Sequence, residues 1–492
     1  MTSFNWLLDG SIVGAYLLVT MVAGLMVRKY VGKVEHFLLA GREMDVYLGI
    51  ASLAATEFGI VTCMYTAQNG YEKGFAGATP GILMALAMLI VGWTGFVIKP
   101  LRDSGVITIP ELLEQKFGGR VRWAAGVVIV LGGLLNMGVF LRTGGQFLVL
   151  VSGLDVRYLE IMMTALLIGV AVYTILGGML SVLVTDFLQF VVMSAGLIVV
   201  TILILMTVGW TNLVTAVDTH YGAGGFNPFV NPTMGWSYVV FNALLNTAAV
   251  ITWQTTIARV LAAKDTATGR KVYTRTSFFF VCRFLIPGVW GIAALATLGP
   301  VRDTLEAMPL YLSGAVPAGL MGLLIAAMLA ADMSTDSSYM LTWGSVIYND
   351  IMAPFRKTQW SEKKGLLWNR TIIALIGIFL LLYGLWYPLK GDLWTYLGVT
   401  GTIYLASISV LLIACCYWRR ANSWGAAAAI FISAFIPVTY LVSEQLPSTE
   451  GVAKAVGPYY SGIATYVISG VAMVVGSLLK PRSRASVRKE FA

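Results

Sequence analysis

The chain has 492 residues, of which 58% are hydrophobic and 12% are charged, and its formal net charge is +9. Soluble domains carry about 25% charged residues, so this composition excludes an ordinary soluble protein and is typical of an integral membrane protein. The positive charge does not indicate a nucleic-acid partner, because the basic residues lie in short loops between apolar segments, as membrane insertion requires.

Apolar segments recur along the whole chain, and each is long enough to cross a membrane. A helix needs about 20 residues at 1.5 Å per residue to span a hydrocarbon core of about 30 Å. We therefore predict an all-α polytopic membrane protein with about 13 transmembrane helices. The predicted limits are 10–28, 46–68, 76–98, 123–152, 157–177, 179–209, 236–258, 277–299, 317–347, 368–387, 392–418, 423–443 and 461–479.

The positions of Lys and Arg predict the orientation of these helices. Most of them lie in alternate loops, beginning with the first, including the loop assigned to Arg259, Lys264 and Arg270. The opposite loops hold the smaller set Lys73, Arg157, Arg302, Lys390 and Lys454. Cytoplasmic loops are enriched in Lys and Arg, so we expect a cell (inner) membrane protein with its amino terminus outside and its carboxyl terminus in the cytoplasm.

Six ionisable side chains are predicted at membrane depth, where each costs about 2.5–3.5 kcal/mol on insertion scales. They are Glu57, Arg142, Asp186, Arg283, Asp332 and Asp336. One interpretation is that they form internal ion pairs that fix helix packing. The carboxylates outnumber the guanidinium groups, however, and a bound cation would remove the excess negative charge. This excess favours cation coupling, with Asp332 and Asp336 as coupling or ion-pair residues.

The segment that follows Asp332 carries a dense set of hydroxyl groups. Ala331, Ser334, Thr335 and Ser338 share one helical face, because they follow i, i+3, i+4, i+7 spacing. Sodium favours hard oxygen ligands, which hydroxyl groups and carbonyl groups at a helix break supply. The alternative is that these hydroxyl groups form hydrogen bonds between helices.

A helix break is expected in the first core segment, residues 51–59, which combines small residues with Glu57 and Gly59. Unwinding here would free the carbonyl groups of Ala55 and Phe58 as cation ligands. Non-helical backbone at this depth is tolerated where it lines a cavity or packs within the protein.

Four motifs occur in a recognisable order. They are Phe-Leu-Leu-Ala-Gly-Arg at 37–42, Tyr-Thr-Ile-Leu-Gly-Gly at 173–178 followed by Thr185, Asp186 and Gln189, Ala-Arg-Val-Leu-Ala-Ala-Lys-Asp at 258–265, and Met-Ser-Thr-Asp-Ser-Ser at 333–338. At these residues the chain resembles the sodium/solute symporter family, which contains sodium–glucose, sodium–proline and sodium–sialic acid transporters. The resemblance extends over about residues 10–480.

The resemblance implies a LeuT-like fold with two inverted repeats of five helices and accessory helices at both ends. The expected divisions are an amino-terminal accessory helix in 1–45, the repeats in 46–209 and 236–418, and carboxyl-terminal accessory helices with a cytoplasmic tail in 419–492. It also implies alternating access around a midplane site, with broken first and sixth core helices.

The resemblance further implies two sodium sites. The first would use the backbone carbonyl groups of Ala55, Phe58 and Ala331 and the hydroxyl groups of Ser334 and Thr335. Members that couple two ions have a second site, whose positions match Asp186, Ser337 and Ser338 here. Asp186 in a buried structural pair is the alternative. No cofactor other than sodium ions is expected.

A substrate site is expected at Glu57, Thr62, Arg142, Trp253, Gln254 and Arg283. Arg283 stands where sugar-transporting members place a lysine, and its planar guanidinium suits bidentate binding of a carboxylate. The glutamate that sugar transporters use on the second core helix falls at Gly81. A carboxylate-bearing solute is therefore favoured, with a neutral sugar, nucleoside or polyol as the alternative. Arg142 either binds the substrate or pairs with Asp332 or Glu57.

Other classes of protein fit the sequence less well. An enzyme would need a nucleophile–base set or a metal centre, but the two histidines, His36 and His220, lie in predicted loops on opposite sides of the membrane. Proton coupling through Glu57 or Asp332 is a rival within the transporter class. The expected partners are a small organic solute, sodium and the lipid bilayer, with no obligatory protein partner.

Overall fold

The computed structural model describes residues 4–27, 33–355, 360–387 and 392–480. It is built from α-helices, which confirms the all-α prediction. In chain order they are α1 (Leu8–Val27), α2 (Val34–Leu39), α3 (Val46–Thr56), α4 (Ile60–Lys73), α5 (Thr79–Thr94), α6 (Ile98–Asp103), α7 (Ile109–Phe117), α8 (Gly119–Met137), α9 (Phe140–Ser152), α10 (Leu159–Thr207), α11 (Trp210–Tyr221), α12 (Gly235–Thr252), α13 (Gln254–Ala262), α14 (Thr266–Leu298), α15 (Ala307–Ala315), α16 (Leu320–Val346), α17 (Glu362–Trp386), α18 (Leu393–Tyr417), α19 (Ser423–Gln445) and α20 (Glu450–Leu479).

Ten helical segments of the described chain are long and apolar enough to cross a membrane. They overlap twelve of the thirteen predicted spans, because Ile60–Thr94 and Val156–Thr207 each reach two of them; the remaining span, 236–258, corresponds to α12 and α13, which are not among the ten. The segment Val156–Thr207 has 52 residues and contains two predicted spans, which separate at Gly178. Two other predicted spans are each formed by a pair of helices with a break between them: α3 with α4, and α12 with α13.

The two breaks differ in conformation but both interrupt a helix inside the protein. Between α3 and α4, Glu57 has φ −85° and ψ 0°, and Gly59 is extended with φ −101° and ψ 175°. Between α12 and α13, Trp253 alone is non-helical, with φ −62° and ψ 112°. Both breaks are buried, as expected for non-helical backbone at membrane depth that lines a cavity.

Gly178 allows α10 to change direction between two membrane crossings. It has φ 56° and ψ −151°, a backbone conformation that residues other than glycine rarely adopt. A Cβ atom at this position would lie 2.5 Å from the carbonyl oxygen of Phe37. Two of the sequence motifs, at 37–42 and 173–178, therefore meet in the folded protein.

Helices α4 and α14 approach each other through small residues. A Cβ atom on Gly291 would lie 1.9 Å from the carbonyl oxygen of Ala67, and one on Gly70 would lie 2.1 Å from that of Gly288. Small residues permit this backbone approach between membrane helices. The contact brings Arg283 of α14 close to the side chains near the start of α4.

The loops that carry most of the Lys and Arg residues meet at one end of the molecule. Arg42 donates to the carbonyl oxygen of Gly105 over 2.6 Å, and Arg102 donates to that of Ala263 over 2.6 Å. At the other end, Lys73 contacts Asp392 over 3.0 Å. Which end faces the cytoplasm stays a prediction from the charge distribution. Lys390 and the tail after Lys480 lie outside the described residues.

Candidate substrate and sodium sites

A central cavity lies between the two helix breaks. Four of the six predicted substrate residues line it: Glu57, Thr62, Trp253 and Arg283. They come from both breaks, from the start of α4 and from the middle of α14. The structure therefore brings together side chains that are up to 226 positions apart in the chain, since the set begins at 57 and ends at 283.

Arg283 is held on one side of the cavity by the start of α4. Its Nη2 atom donates to the hydroxyl of Tyr65 over 2.8 Å and to that of Thr62 over 3.3 Å. Its Nη1 atom lies 3.5 Å from Oε2 of Glu57. Its Nε atom is buried and has no hydrogen-bond partner among the described residues. The guanidinium thus keeps one donor for a further acceptor.

Glu57 joins the two breaks. Its Oε1 atom accepts hydrogen bonds from the hydroxyl groups of Thr255, over 3.1 Å, and Thr256, over 3.0 Å. Both threonines lie at the start of α13, directly after the second break. Because Oε2 faces Arg283, the Glu57 carboxylate connects α13 to the cation that lines the cavity.

Aromatic rings form much of the remaining cavity wall. Trp253 donates its indole N–H to the hydroxyl of Tyr339 over 3.1 Å. Tyr65 and Trp394 pack with their ring centroids 5.0 Å apart. Asn246 adds an amide to the lining. Sequence reasoning missed Tyr65, Tyr339, Trp394 and Asn246; the position of Tyr65 one helical turn after Thr62 was the available signal.

The other two predicted substrate residues lie elsewhere. Gln254 is buried beside Trp253 but does not line the cavity. Arg142 is half-buried on α9 and donates to the carbonyl oxygen of Gly384 over 3.2 Å. Within the described ranges it forms no ion pair with Asp332 or Glu57. Arg142 therefore contacts α17 rather than the central cavity.

The residues predicted for the first sodium site lie where α16 packs against the first break. The Thr335 hydroxyl donates to the carbonyl oxygen of Thr56 over 2.9 Å. A Cβ atom on Gly59 would lie 2.9 Å from Oγ1 of Thr335, so glycine permits this close contact. Ala55, Phe58, Ala331 and Ser334 have no exposed surface. The oxygen atoms proposed as sodium ligands, from the break and from α16, therefore lie next to each other in a buried position.

The residues predicted for a second sodium site surround a buried ion pair. Asp186 lies 3.3 Å from Nη2 of Arg259, and neither side chain is exposed. The same Nη2 atom donates to the hydroxyl of Ser338 over 2.6 Å. Ser337 donates to the carbonyl oxygen of Ser334 over 3.1 Å. A guanidinium group thus contacts two of the three residues that the resemblance assigns to the second ion.

The placement of Arg259 in a loop between membrane spans is wrong. Arg259 lies in α13 and is 1% exposed. Loop assignment from hydropathy assumes that a charged side chain ends a span, whereas this one is paired with a carboxylate on another helix. The signal in the sequence was weak: the apolar residues Val260, Leu261 and Ala262 follow it directly.

Of the four carboxylates predicted at membrane depth, Asp332 and Asp336 have no cationic partner among the described residues. Each is 1% exposed. Oδ2 of Asp332 and Oδ1 of Asp336 have no hydrogen-bond partner in that part of the chain. Because Glu57 contacts Arg283 and Asp186 contacts Arg259, the excess negative charge predicted from the sequence is located at these two aspartates.

Comparison with known proteins decides the class of this molecule. Residues 37–433 match the model of the Sodium:solute symporter family. The chain belongs to this family. The sodium:solute symporter is therefore a membrane transporter and not an enzyme, and it couples the transport of a solute to the transport of sodium. The family resemblance predicted from the sequence motifs is confirmed.

Curated relatives match the symporter over nearly its whole length. Sodium/glucose cotransporter 1 of Oryctolagus cuniculus is 26% identical over 529 residues, which cover 96% of this chain and 78% of the relative. The osmoregulated proline transporter OpuE of Bacillus subtilis is 22% identical over 497 residues, covering 96% of each chain.

The fold of the symporter is shared with a solved transporter. A Na⁺-coupled sialic acid symporter in a substrate-bound outward-open state superposes with a TM-score of 0.79 at 18% identity, covering 96% of this chain and 99% of that chain. The predicted LeuT-like fold of two inverted five-helix repeats with accessory helices is confirmed. The limits of the repeats stay a prediction.

Proposed function

We propose that this symporter takes up a small organic solute that carries a carboxylate group, which Arg283 binds in the central cavity. The Nε–H of Arg283 carries this proposal, because it is a buried donor without a partner in the described part of the chain, on a side chain that lines the cavity. The contact with Glu57 at 3.5 Å is longer than the 2.7–2.9 Å of a charge-assisted hydrogen bond. Glu57 therefore leaves Arg283 available to a second carboxylate.

The charges around the cavity support coupling between an acid and sodium. Glu57 and Arg283 lie 3.5 Å apart and balance each other. A sodium ion at the adjacent first site would offset the negative charge of Asp332 and Asp336, which have no cationic partner among the described residues, and so lower the cost of placing a solute carboxylate in the cavity. Sodium and an acid then each raise the affinity for the other, which is the reciprocal coupling that symport requires.

The proposed sodium ion binds between the first break and α16. Its ligands are the carbonyl groups of Ala55, Phe58 and Ala331 and the hydroxyl groups of Ser334 and Thr335. Sodium entering from outside orders the break against α16, and the ordered break presents Glu57 and Thr62 to the solute. Closure of the outer side and opening of the inner side then release both to the cytoplasm.

The test is uptake into proteoliposomes that contain the purified symporter, with an inward sodium gradient and matched pairs of solutes. Suitable pairs are glucuronate with glucose, gluconate with sorbitol, and lactate with propane-1,2-diol. We expect sodium-dependent uptake of an acid and weak uptake of its neutral partner. Arg283→Gln should reduce acid uptake at least about tenfold, the cost of a lost charge-assisted contact.

Arg142→Gln is the matched control, because Arg142 is also a membrane-embedded arginine but contacts Gly384 rather than the cavity. It should retain acid uptake. If Arg142→Gln abolished uptake while Arg283→Gln retained it, the assignment of the carboxylate-binding arginine would be wrong.

A neutral sugar, nucleoside or polyol is the second candidate. The observation that favours it is the wall of aromatic rings and amides, including Trp253, Trp394 and Asn246, around a Glu57–Arg283 pair that has no net charge. Some of the curated relatives are glucose cotransporters. Uptake of the neutral member of a pair in preference to the acid would select this candidate.

A further inference from the structure

We infer that Asp186, held by Arg259, is a positioning residue that directs the hydroxyl of Ser334 toward the sodium ion. It would act through Ser334 rather than as a ligand of a second ion. This inference rests on the proposed first sodium site and goes beyond it, because it assigns a role to a buried ion pair that lies behind that site.

The direction of the hydroxyl protons supports this role. Ser334 Oγ lies 2.5 Å from Oδ1 of Asp186, and a carboxylate accepts hydrogen bonds. The single proton of Ser334 is therefore directed to Asp186, and its oxygen lone pairs remain for a cation. Thr335 behaves in the same way, since its proton is directed to the carbonyl oxygen of Thr56. Both proposed hydroxyl ligands are thus oriented by a fixed acceptor.

The donors around Asp186 fix it as an acceptor on both oxygens. Oδ2 accepts from the hydroxyl of Ser52 over 2.5 Å and from Nη2 of Arg259 over 3.3 Å, while Oδ1 accepts from Ser334. Groups that orient metal ligands in this way typically change metal affinity by about 10–100-fold when they are removed.

Arg259 holds this arrangement from the second broken helix. Its Nε atom donates to Ser52 over 3.1 Å, and its Nη2 atom donates to Thr56 and to Ser338 over 2.6 Å each. The Arg259 side chain, which belongs to α13, therefore connects α3, α10 and α16. A permanent positive charge 3.3 Å from Asp186 also opposes a sodium ion at the same carboxylate.

The first test measures the sodium dependence of solute uptake for Asp186→Asn. We expect the half-saturating sodium concentration to rise by about tenfold or more, with the Hill coefficient near one in both wild type and variant. The KM for solute at saturating sodium should stay within about twofold of wild type, since Asp186 does not line the cavity. A Hill coefficient near two that falls to one in Asp186→Asn would overturn the inference, because it identifies a second ion.

The second test is a double-mutant cycle, which reports whether Asp186 acts through Ser334. Equilibrium binding of ²²Na⁺ to purified protein is compared for Asp186→Asn, Ser334→Ala and the double variant. If Asp186 acts through Ser334, the double variant binds sodium as Ser334→Ala does. Losses that multiply in the double variant would show two independent contributions and contradict the inference.

Arg259→Lys and Arg259→Gln provide the matched pair for the charge that holds Asp186. We expect Arg259→Lys to bind sodium at least about threefold more tightly than Arg259→Gln, because it keeps a cation beside Asp186. Equal affinities would count against the role of Arg259. If Ser334→Ala itself leaves sodium binding unchanged, the proposed sodium site fails; if Ser334→Ala weakens binding and Asp186→Asn does not, the inference alone fails.

Discussion

Thr335 donates its hydroxyl proton to the carbonyl oxygen of Thr56 over 2.9 Å and so joins α16 to the break between α3 and α4. The carbonyl groups freed by the break and the hydroxyl groups of α16 therefore meet in one buried place. Glu57 follows Thr56 directly and faces the cavity. The same short segment thus connects the proposed ion site to the proposed solute site.

Removal of the Thr335 hydroxyl should weaken sodium binding. We expect Thr335→Ala to raise the half-saturating sodium concentration for uptake by about tenfold, because both a proposed ligand and the contact with the break are lost. Ser345→Ala is the control, since Ser345 is a buried hydroxyl of the same helix that donates to the carbonyl oxygen of Thr342. An unchanged sodium dependence in Thr335→Ala would exclude Thr335 as a ligand.

The close approach of α4 and α14 should be sensitive to a single methyl group. A Cβ atom on Gly291 would lie 1.9 Å from the carbonyl oxygen of Ala67, so Gly291→Ala must push the two helices apart. We expect the thermal unfolding midpoint to fall by about 5 °C or more, as overpacking destabilises a packed interface. The atom added by Gly314→Ala has no neighbour within 4 Å among the described residues, so this variant should leave the midpoint unchanged. Equal midpoints for the two variants would contradict this packing.

The ion pair between Lys73 and Asp392 should behave as a buried pair. The two groups lie 3.0 Å apart, with side-chain exposures of 5% and 19%. Burial alone would raise the pKa of Asp392, but the charge of Lys73 outweighs it and lowers that pKa below its usual range.

Breaking this pair leaves one buried charge without compensation. We expect Lys73→Met and Asp392→Asn each to lower the thermal unfolding midpoint, and the double variant to recover part of the loss, because it leaves no unpaired charge. Thermal unfolding of the three purified variants gives the comparison. Additive losses in the double variant would show that the two side chains do not interact.

The predicted orientation can be measured with introduced cysteines in a background that lacks the native ones. Thr219 of α11 and Arg120 at the start of α8 are exposed, and they lie between predicted spans in segments assigned to opposite sides of the membrane. A membrane-impermeant maleimide should label Thr219→Cys on intact cells and Arg120→Cys after permeabilisation, because the basic loops are expected in the cytoplasm. Labelling of Arg120→Cys on intact cells would reverse the orientation.

Most of the fold could be predicted from the sequence because hydropathy is a local property. Each membrane span can be identified from a stretch of about 20 apolar residues. The break near Glu57 was indicated by small residues and a glycine. The pairing of charges could not be predicted in this way. Asp186 and Arg259 are 73 positions apart, and only the packing of α10 and α13 against α3 and α16 brings them together.

In the candidate site, too, local patterns could be predicted from the sequence and long-range contacts could not. The hydroxyl groups of Ser334 and Thr335 share a helical face that spacing reveals, and the structure places them against the first break. Arg142 and Arg283 are both membrane-embedded arginines with no local difference that separates them. In the folded protein Arg142 contacts α17, whereas Arg283 lines the cavity. This difference depends on tertiary packing.

Sodium-coupled binding of an acid is tested most directly by the thermal stability of the purified symporter with a panel of acids and their neutral analogues, each in sodium and in potassium. A ligand that binds the folded protein raises its apparent stability, and coupling makes that increase depend on the ion. We expect an acid to stabilise the protein in sodium but not in potassium, and we expect this stabilisation to be lost in Arg283→Gln. Stabilisation by the same solute to the same extent in both salts would contradict sodium-coupled binding.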